Sequence, residues 1–426
     1  MIFWVFISVL LAFASSKSCD AEEPNNELCL SLNKNLLRSL ETQDGHPNPS
    51  VHLALRLSNL HNLAKEGAYL NKLKSHLHNI LQDSFSNNHP GVGQVALYTL
   101  ALRSSCYDLN TVFVNISGKT MTLLTHLKKQ MEQEKEHIVV NNRPLTNYYK
   151  YSLGIVALCT NGIRVNSHVS NKLIKAVEDQ HLTHGDTCSV DTYAMAGMAL
   201  QCVKDSRFDG QNTAELDSAL RMIKQKLLDS RGTDNHIGNQ FSTGLAVQAL
   251  IAMGSPNVEF AASIKAMRTS ARNYAYQNPM ALSQVLPALH QKSYLKVKNF
   301  ECVDEDDSLV LEPLDPVEIL PSETKVAVNV EVVSRGVSLF YSVDVPHGST
   351  LLQALELLVA KNDDFTFDTE NTMWGPFLSA INGEQARQSD RGYWQVSSND
   401  VLLPKGIAEF KIQEAQMFTL KNIERH

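Results

Sequence analysis

The chain has 426 residues, 43% of them hydrophobic and 19% charged, and its formal net charge at pH 7 is −7. This composition is typical of a globular protein, and the length predicts two or three domains. The net negative charge, without any run of basic residues, makes nucleic acid and anionic membrane surfaces poor partners.

Residues 1–16 predict a secretory signal peptide. Their apolar run is too short to cross a bilayer and ends in the small residues Ala14, Ser15 and Ser16. We therefore expect a secreted, extracellular protein with no membrane insertion. Seven widely spaced cysteines fit disulfides in that setting, and Asn115-Ile-Ser117 is a glycosylation acceptor motif.

A repeated unit fills residues 50–290. The dipeptide Ala-Leu closes an apolar, small-residue-rich segment six times, at intervals of 39 to 56 residues. Between these segments lie amphipathic stretches whose apolar residues recur every three or four positions. Buried helices that alternate with amphipathic ones predict a mainly α fold, an α6/α6 barrel (α/α toroid). The six alanines are Ala54, Ala101, Ala157, Ala199, Ala249 and Ala288.

Polar residues gather where the inner helices should begin. Because alternate helices reverse direction, the inner helices run parallel and their positive N-terminal ends meet at one end of the barrel. Asp, Ser and Thr are also common helix caps, so the alternatives are capping residues and a polar ligand site. The presence of glutamine and tyrosine, which are not capping residues, favours the site. The residues seven or eight positions before the alanines are Gln94, Tyr149, Asp191 with Thr192, and Ser242.

A second domain follows an acidic segment punctuated by prolines. Residues 301–322 lack apolar periodicity and predict a flexible linker. Residues 323–426 show strand alternation, a helix started at Ser349 and further short strands, which predict a smaller α+β, β-grasp-like C-terminal domain. The barrel domain is then expected over residues 17–300, after the signal peptide.

Familiar enzyme motifs are absent from the sequence. It has no Gly-x-Ser-x-Gly, no His-Glu-x-x-His and no phosphate loop. Asp191 is the single carboxylate at the inner helix ends, whereas glycoside hydrolysis normally uses two. A binding protein is therefore favoured over an enzyme. The alternative is an α/α-barrel hydrolase or lyase that uses Asp191 as its acid or base.

Five stretches carry a likeness to a known family: RPLTNYY (143–149), SVDTYAMAG (189–197), IGNQFSTG (237–244), SQVLP (283–287) and WGPF (374–377). In order and spacing they resemble the vertebrate cobalamin (vitamin B12) carriers, the group of transcobalamin, intrinsic factor and haptocorrin. The resemblance covers nearly the whole mature chain. It implies a monomer whose barrel and β-domain clasp cobalamin between them for delivery to a cell-surface uptake receptor.

The resemblance also implies the residues that contact the ligand. A corrin ring is fringed with neutral amides, which hydroxyl and amide side chains at fixed points suit. For the two tryptophans of the C-terminal domain, a purely structural role in its core is the alternative. The matching positions are Gln94, Thr146, Tyr149, Asp191, Asn239 and Gln284 in the barrel, and Trp374, Gly375, Phe377, Trp394 and Leu403 in the β-domain.

Two departures from the family pattern concern the ligand. Transcobalamins that place a histidine on cobalt have it three residues before the motif aspartate, where this chain has Cys188. His181 and His184 lie in the same loop, and His184 is the candidate cobalt ligand. Phe377 replaces a tyrosine, so a hydrogen bond from that position is lost.

A third departure concerns the disulfides that the resemblance implies. Cys106 with Cys302 and Cys159 with Cys202 match family pairs. The usual partner of Cys19 is missing, so the pairing of Cys19, Cys29 and Cys188 stays open.

Overall fold

The structure is a computed structural model. It describes residues 23–42, 46–82, 90–116, 119–184, 187–207, 212–276, 278–311, 325–334, 336–362, 364–372, 375–386, 393–398, 401–403, 406–408 and 410–423. The expected signal peptide lies outside these residues.

Helices alternate between an outer and an inner ring along residues 23–289. The even-numbered helices form the inner ring: each contacts the next, and the last returns to the first. In chain order the helices are α1 (Glu23–Thr42), α2 (Pro49–Arg56), α3 (Leu63–Gln82), α4 (Val92–Arg103), α5 (Leu123–Asn141), α6 (Tyr148–Thr160), α7 (Ser167–Glu178), α8 (Val190–Ser206), α9 (Thr213–Asp229), α10 (Ser242–Ala252), α11 (Ala261–Arg272) and α12 (Pro279–Leu289).

The closed ring confirms the α6/α6 barrel. All six Ala-Leu segments lie in inner helices, where small residues allow neighbouring helices to approach closely. The barrel begins before the repeat-bearing stretch 50–290, because α1 packs against α2, α11 and α12 and supplies an outer helix before the first repeat. Two short hairpins decorate the barrel: β1 (Phe113–Ile116) with β2 (Lys119–Thr122), and β3 (Thr183–His184) with β4 (Thr187–Cys188).

Gly244 shows how close the inner helices come. A Cβ atom at this position of α10 would stand 2.7 Å from the carbonyl oxygen of Gln284 and 2.9 Å from the Cα atom of Val285. Both atoms belong to the backbone of α12, which cannot move aside without shifting the whole helix. Glycine is therefore required where α10 crosses α12.

The C-terminal residues form a mixed sheet with one helix, as the β-grasp-like expectation required. A five-stranded sheet has the order β11-β10-β12-β5-β6, with a parallel β12–β5 pair, and β7, β8 and β9 form a second sheet. The helix is capped by Thr350, one residue later than expected. The elements are β5 (Lys325–Ser334), β6 (Val337–Pro346), α13 (Leu351–Lys361), β7 (Phe367–Thr372), β8 (Gly375–Ile381), β9 (Glu384–Gln385), β10 (Tyr393–Ser398), β11 (Val401–Leu402) and β12 (Gln416–Ile423).

Residues 301–311 differ from the flexible linker that the sequence predicts. Their backbone pairs with the α2–α3 connection: the His61 N–H donates to the Asp306 carbonyl at 2.8 Å, and the Leu309 N–H donates to the His61 carbonyl at 2.9 Å. The Leu309 side chain is buried in the barrel core. The expectation of a tether is thus wrong for 301–311, and the rest of the expected linker, residues 312–322, lies outside the described residues.

A buried arginine explains why an acidic segment docks there. Arg56, at the end of α2, pairs with Glu66 at 2.9 Å and also with Glu305. Its Nε donates to the carbonyl oxygen of Ser104 at 3.1 Å. Because the guanidinium is almost fully buried, its charge and its N–H groups require partners, which Glu66, Glu305 and the Ser104 carbonyl supply.

The disulfides Cys106–Cys302 and Cys159–Cys202 are both present, as the resemblance implies. The first ties residue 302 to the end of α4, and the second ties α6 to α8. Cys29 and Cys188 form no disulfide with another cysteine of the described residues, and Cys19 lies outside those residues, so the pairing of these three stays open. Asn115 is exposed on β1, and its glycosylation stays a prediction. No helix in the described ranges is both long and apolar enough to cross a membrane.

Candidate ligand-binding site

Asp191, Thr192 and Ser242, which the sequence left open between helix capping and ligand binding, are not the capping residues of their helices. Ser189 caps α8 by accepting from the Thr192 N–H at 3.3 Å. Asn48, Asn147 and Asn278 cap α2, α6 and α12 in the same way. Asp191 therefore stands one residue inside its helix, and capping does not account for its carboxylate.

Asp191 is held by one hydrogen bond inside the barrel mouth. Its Oδ2 accepts from the Ser242 hydroxyl of the neighbouring helix α10 at 3.3 Å. Its Oδ1 is buried and has no hydrogen-bond partner among the described residues. Burial raises the pKa of Asp191 to about 6, against the opposing effect of the Ser242 hydrogen bond. A buried carboxylate oxygen without a donor is the feature that a ligand N–H would satisfy.

Tyr149 lies beside this carboxylate. It is 7% exposed at the start of α6, and its pKa is well above the ordinary value because of burial and the proximity of Tyr294 and Asp191. The phenol therefore stays neutral. Tyr294 lies in a 3-10 helix, Tyr294–Asn299, that contacts α6 and α8.

Thr146 precedes α6 and is fastened from outside the inner ring. Glu134 of the outer helix α5 accepts from the Thr146 backbone N–H at 3.1 Å and from its hydroxyl at 2.8 Å. Glu134 is 2% exposed, so this contact is sheltered from water. Thr146 itself is half-buried.

The other barrel candidates lie in the first turn of α4, just before α10 and in the middle of α12, and they differ in exposure. Gln94 is exposed on the first turn of α4. Asn239 is exposed, and its Oδ1 accepts from the Phe241 and Ser242 N–H groups, so it satisfies two backbone donors where α10 begins. Gln284 is 3% exposed on α12. Its carbonyl oxygen accepts from the buried Gln248 amide of α10 at 2.9 Å.

The described C-terminal candidates lie on two strands, β8 and β10, and directly after a third, β11. Gly375 opens β8, and Phe377 is half-buried on the same strand opposite Glu370 of β7. Leu403 follows β11 and packs against the core of this domain. Trp374 lies outside the described residues.

Trp394 belongs to the core of its domain, as the structural alternative proposed. It lies on β10 and is 3% exposed. Its indole Nε1 is buried without a hydrogen-bond partner in the part of the chain that the structure describes. A ligand contact through this N–H stays a prediction.

The candidate cobalt ligand His184 and the nearby Cys188 lie on the β3–β4 hairpin before α8. His184 pairs with Thr187 across the two strands, and Cys188 pairs with Thr183. Cys188 is exposed, three residues before Asp191.

The structure adds residues that the sequence patterns did not single out. Glu134 sits in an ordinary amphipathic helix, and Gln248 lies within an Ala-Leu segment as a buried polar residue. A buried glutamine in an otherwise apolar inner helix is a visible signal for Gln248. No comparable signal marks Glu134.

Comparisons with known proteins agree over most of the chain. The family model of eukaryotic cobalamin-binding proteins matches residues 1–323, and that of a domain of unknown function matches residues 348–424. Transcobalamin-2 of Bos taurus is 35% identical over 427 residues and is covered to 96%, as is this chain. Cobalamin binding intrinsic factor of Homo sapiens is 28% identical, with 88% of this chain and 87% of that protein covered.

A solved structure gives the same answer for the fold. The crystal structure of haptocorrin in complex with Cbi matches with a TM-score of 0.72 at 25% identity, and the match covers 94% of this chain and 98% of that one. The α6/α6 barrel followed by a smaller α+β domain is therefore a fold with a known example. With the family model matching residues 1–323, the chain belongs to the eukaryotic cobalamin-binding protein family.

Proposed function

We propose that this chain binds cobalamin at the N-terminal end of its inner helix ring and carries it outside the cell. The observation that supports this most directly is the buried Asp191 Oδ1, which has no donor among the described residues. Primary amides, such as those that fringe a corrin, supply the N–H groups that such an oxygen requires. Tyr149 and Thr146 offer further polar atoms at the same end, and Gln284 offers its side chain from the middle of α12.

The C-terminal domain supplies the second half of the proposed site. Trp374, Gly375, Phe377 and Leu403 would cover the corrin face that the barrel leaves open, and the core residue Trp394 would offer its indole N–H. Phe377 adds apolar surface rather than a hydrogen bond. In this proposal the two domains, residues 17–300 and 323–426, enclose the ligand between them. The docked segment 301–311 packs with the first domain.

A carrier role assigns the protein no chemical step of its own. The signal peptide over residues 1–16 would deliver it to the extracellular space, where it acts as a monomer and passes its cargo to a cell-surface uptake receptor. His184 is the proposed protein ligand for the cobalt. The family membership supports this role and gives no support to a hydrolase or lyase that uses Asp191.

Gel filtration of the purified protein with cobalamin tests the proposal. We expect the red absorbance to elute with the protein at a ratio of about one per chain, and Asp191→Ala to lose much of it. Glu136→Gln, on the exposed face of α5, serves as the control. Elution of protein without chromophore would contradict the carrier function. Turnover of an amide, ester or glycoside that is abolished by Asp191→Ala would instead establish the enzyme alternative.

A further inference from the structure

We propose that Glu134 makes the Thr146 hydroxyl an acceptor-only group, so that the site admits a ligand amide at this position and rejects a carboxylate. Glu134 is thus a positioning residue that sets specificity without touching the ligand. This inference rests on the proposed function, in which Thr146 faces cobalamin.

The hydrogen of the Thr146 hydroxyl is already used by the protein. Glu134 Oε1 accepts it at 2.8 Å, while Glu134 Oε2 accepts the Thr146 backbone N–H at 3.1 Å. A hydroxyl has one hydrogen to donate and two lone pairs. Thr146 therefore offers only lone pairs to anything that approaches from the other side.

The neighbouring Ser242 hydroxyl at the barrel mouth has the same polarity. It donates its hydrogen to Asp191 Oδ2 at 3.3 Å. The free oxygen of Asp191 is also an acceptor. This part of the mouth is therefore matched to ligand groups that donate hydrogen bonds.

A primary amide and a carboxylate have nearly the same shape, but at one atom the amide donates hydrogen bonds where the carboxylate accepts them. The amide nitrogen donates two hydrogens, whereas both oxygens of an ionised carboxylate only accept. If a carboxylate lay against Thr146, its oxygen and the hydroxyl oxygen would face each other without a hydrogen between them, in a site sheltered from water. Sites built around a specific hydrogen bond reject a partner that cannot make it far more strongly than apolar pockets reject a change of size.

Glu134→Gln should invert this polarity without changing shape. The glutamine carbonyl can accept the Thr146 N–H while its amide N–H donates to the Thr146 hydroxyl, which satisfies both contacts. The hydroxyl hydrogen is then free to turn toward the ligand and donate to a carboxylate. A purely structural role for Glu134 would alter the affinity for all ligands alike.

The test compares cobalamin with its three monocarboxylate derivatives, in each of which one propionamide of the corrin is hydrolysed. Dissociation constants are measured at pH 8 for the wild type, Glu134→Gln and the control Glu136→Gln, and unfolding temperatures of the ligand-free proteins are recorded. We expect the wild type and the control to bind one derivative at least about tenfold more weakly than cobalamin. In Glu134→Gln, the ratio of the dissociation constant of that derivative to that of cobalamin should be about tenfold smaller. The corresponding ratios for the other two derivatives should be unchanged.

Thr146→Val provides a second variant should Glu134→Gln unfold. It removes the hydroxyl and should shrink the ratio for the same derivative. The inference is overturned if the wild type treats all three derivatives alike, or if neither variant changes the ratio for one derivative selectively. Failure of the wild type to bind cobalamin itself would overturn the proposed function instead, which separates the two.

Discussion

At Asp191 the protein keeps a carboxylate where burial disfavours its charge. The Ser242 hydroxyl offers one hydrogen bond at 3.3 Å, and the second carboxylate oxygen has no partner among the described residues. The folded pKa of about 6 lies above the ordinary value of 3.8. Because the folded state binds this proton more tightly, its stability is complete below pH 3.8 and falls as the pH rises through about 6.

Asp191→Asn should therefore stabilise the ligand-free protein at pH 8, by up to about 2 kcal/mol after allowance for partial exposure. The stability difference from the wild type should vanish at pH 3.5, where the aspartate is protonated in both the folded and the unfolded state. Thermal unfolding at the two pH values measures both effects. A lower melting temperature at pH 8 would return Asp191 to a structural role in its helix.

The same substitution should act oppositely on the ligand. An asparagine accepts a hydrogen bond without charge assistance, so cobalamin should dissociate from Asp191→Asn about tenfold faster at pH 8. Retention by the wild type should weaken as the pH falls through about 6, where Asp191 takes up a proton, whereas the variant should show no such step. Dissociation rates measured from pH 8 to pH 5 give both curves, and parallel curves would exclude Asp191 as an acceptor of the ligand.

At the scale of helices and strands, the sequence predicted those elements that a periodic pattern of apolar residues marks. Six apolar Ala-Leu segments predicted six inner helices because helices buried on all sides need small residues at their contacts. Helix α1 precedes the first repeat, and only its packing against α2 and α12 assigns it to the barrel. The acidic residues after Cys302 predicted a tether because nothing in the local sequence reveals that Arg56, far earlier in the chain, supplies their counter-charge.

In the candidate site, too, local spacing predicted some features, whereas others depend on contacts between distant parts of the chain. The position of Asp191 at an inner helix end could be predicted from spacing, and the caps could not, because Ser189 and Asp191 are both good capping residues. Glu134 lies on another element and acts through a single long-range contact. Such contacts depend on how helices α5 and α6 pack, which local sequence does not determine.

Gly244→Ala should destabilise the barrel through helix packing alone. The added methyl group would press on the backbone of α12, and overpacking of this kind costs about 1–3 kcal/mol. Urea unfolding measures the loss. Gly254→Ala is not a suitable control because its φ of 69° strains any side chain, whereas Gly67→Ala meets nothing within 4 Å and should be neutral or slightly stabilising. Equal stability of the Gly244 and Gly67 variants would contradict the close α10–α12 contact.

Glu66→Gln should expose the role of the buried ion pair at the opposite end of the barrel. Burial alone would raise the pKa of Glu66, but the hydrogen bonds and charges of His61 and Arg56 outweigh it and lower the pKa below 4.5. The contribution of this pair is therefore present above pH 4.5 and is lost as the pH falls through the lower folded value. We expect the free energy of unfolding, measured with urea at pH 7.5, to be about 3 kcal/mol lower than that of the wild type. This difference should become smaller in acid. A variant as stable as Glu136→Gln would show that Arg56 needs only Glu305.

At the scale of the whole molecule, two separate hydrophobic cores carry the two halves of the proposed site. The segment 301–311 belongs with the barrel, through the Cys106–Cys302 disulfide, the Glu305 ion pair and the buried Leu309 side chain. A barrel fragment must therefore extend to residue 311 to keep these contacts.

Such a fragment, residues 17–311, should fold but bind cobalamin at least about a hundredfold more weakly than the intact chain. The loss follows because one corrin face stays in water and half of the contacts are missing. Equilibrium dialysis of the fragment beside the intact protein measures the difference. Equal affinity would remove the C-terminal domain from the site and leave the barrel as the complete receptor.

Amide hydrogen exchange with and without the vitamin shows whether cobalamin binds at the N-terminal ends of the inner helices. We expect slower exchange in the connections that lead into α6, α8 and α10, around Thr146, Asp191 and Asn239, and little change near Arg56 and His290 at the far end. Protection centred on the Arg56 end, or no protection at either end while cobalamin remains bound, would contradict this location of the site.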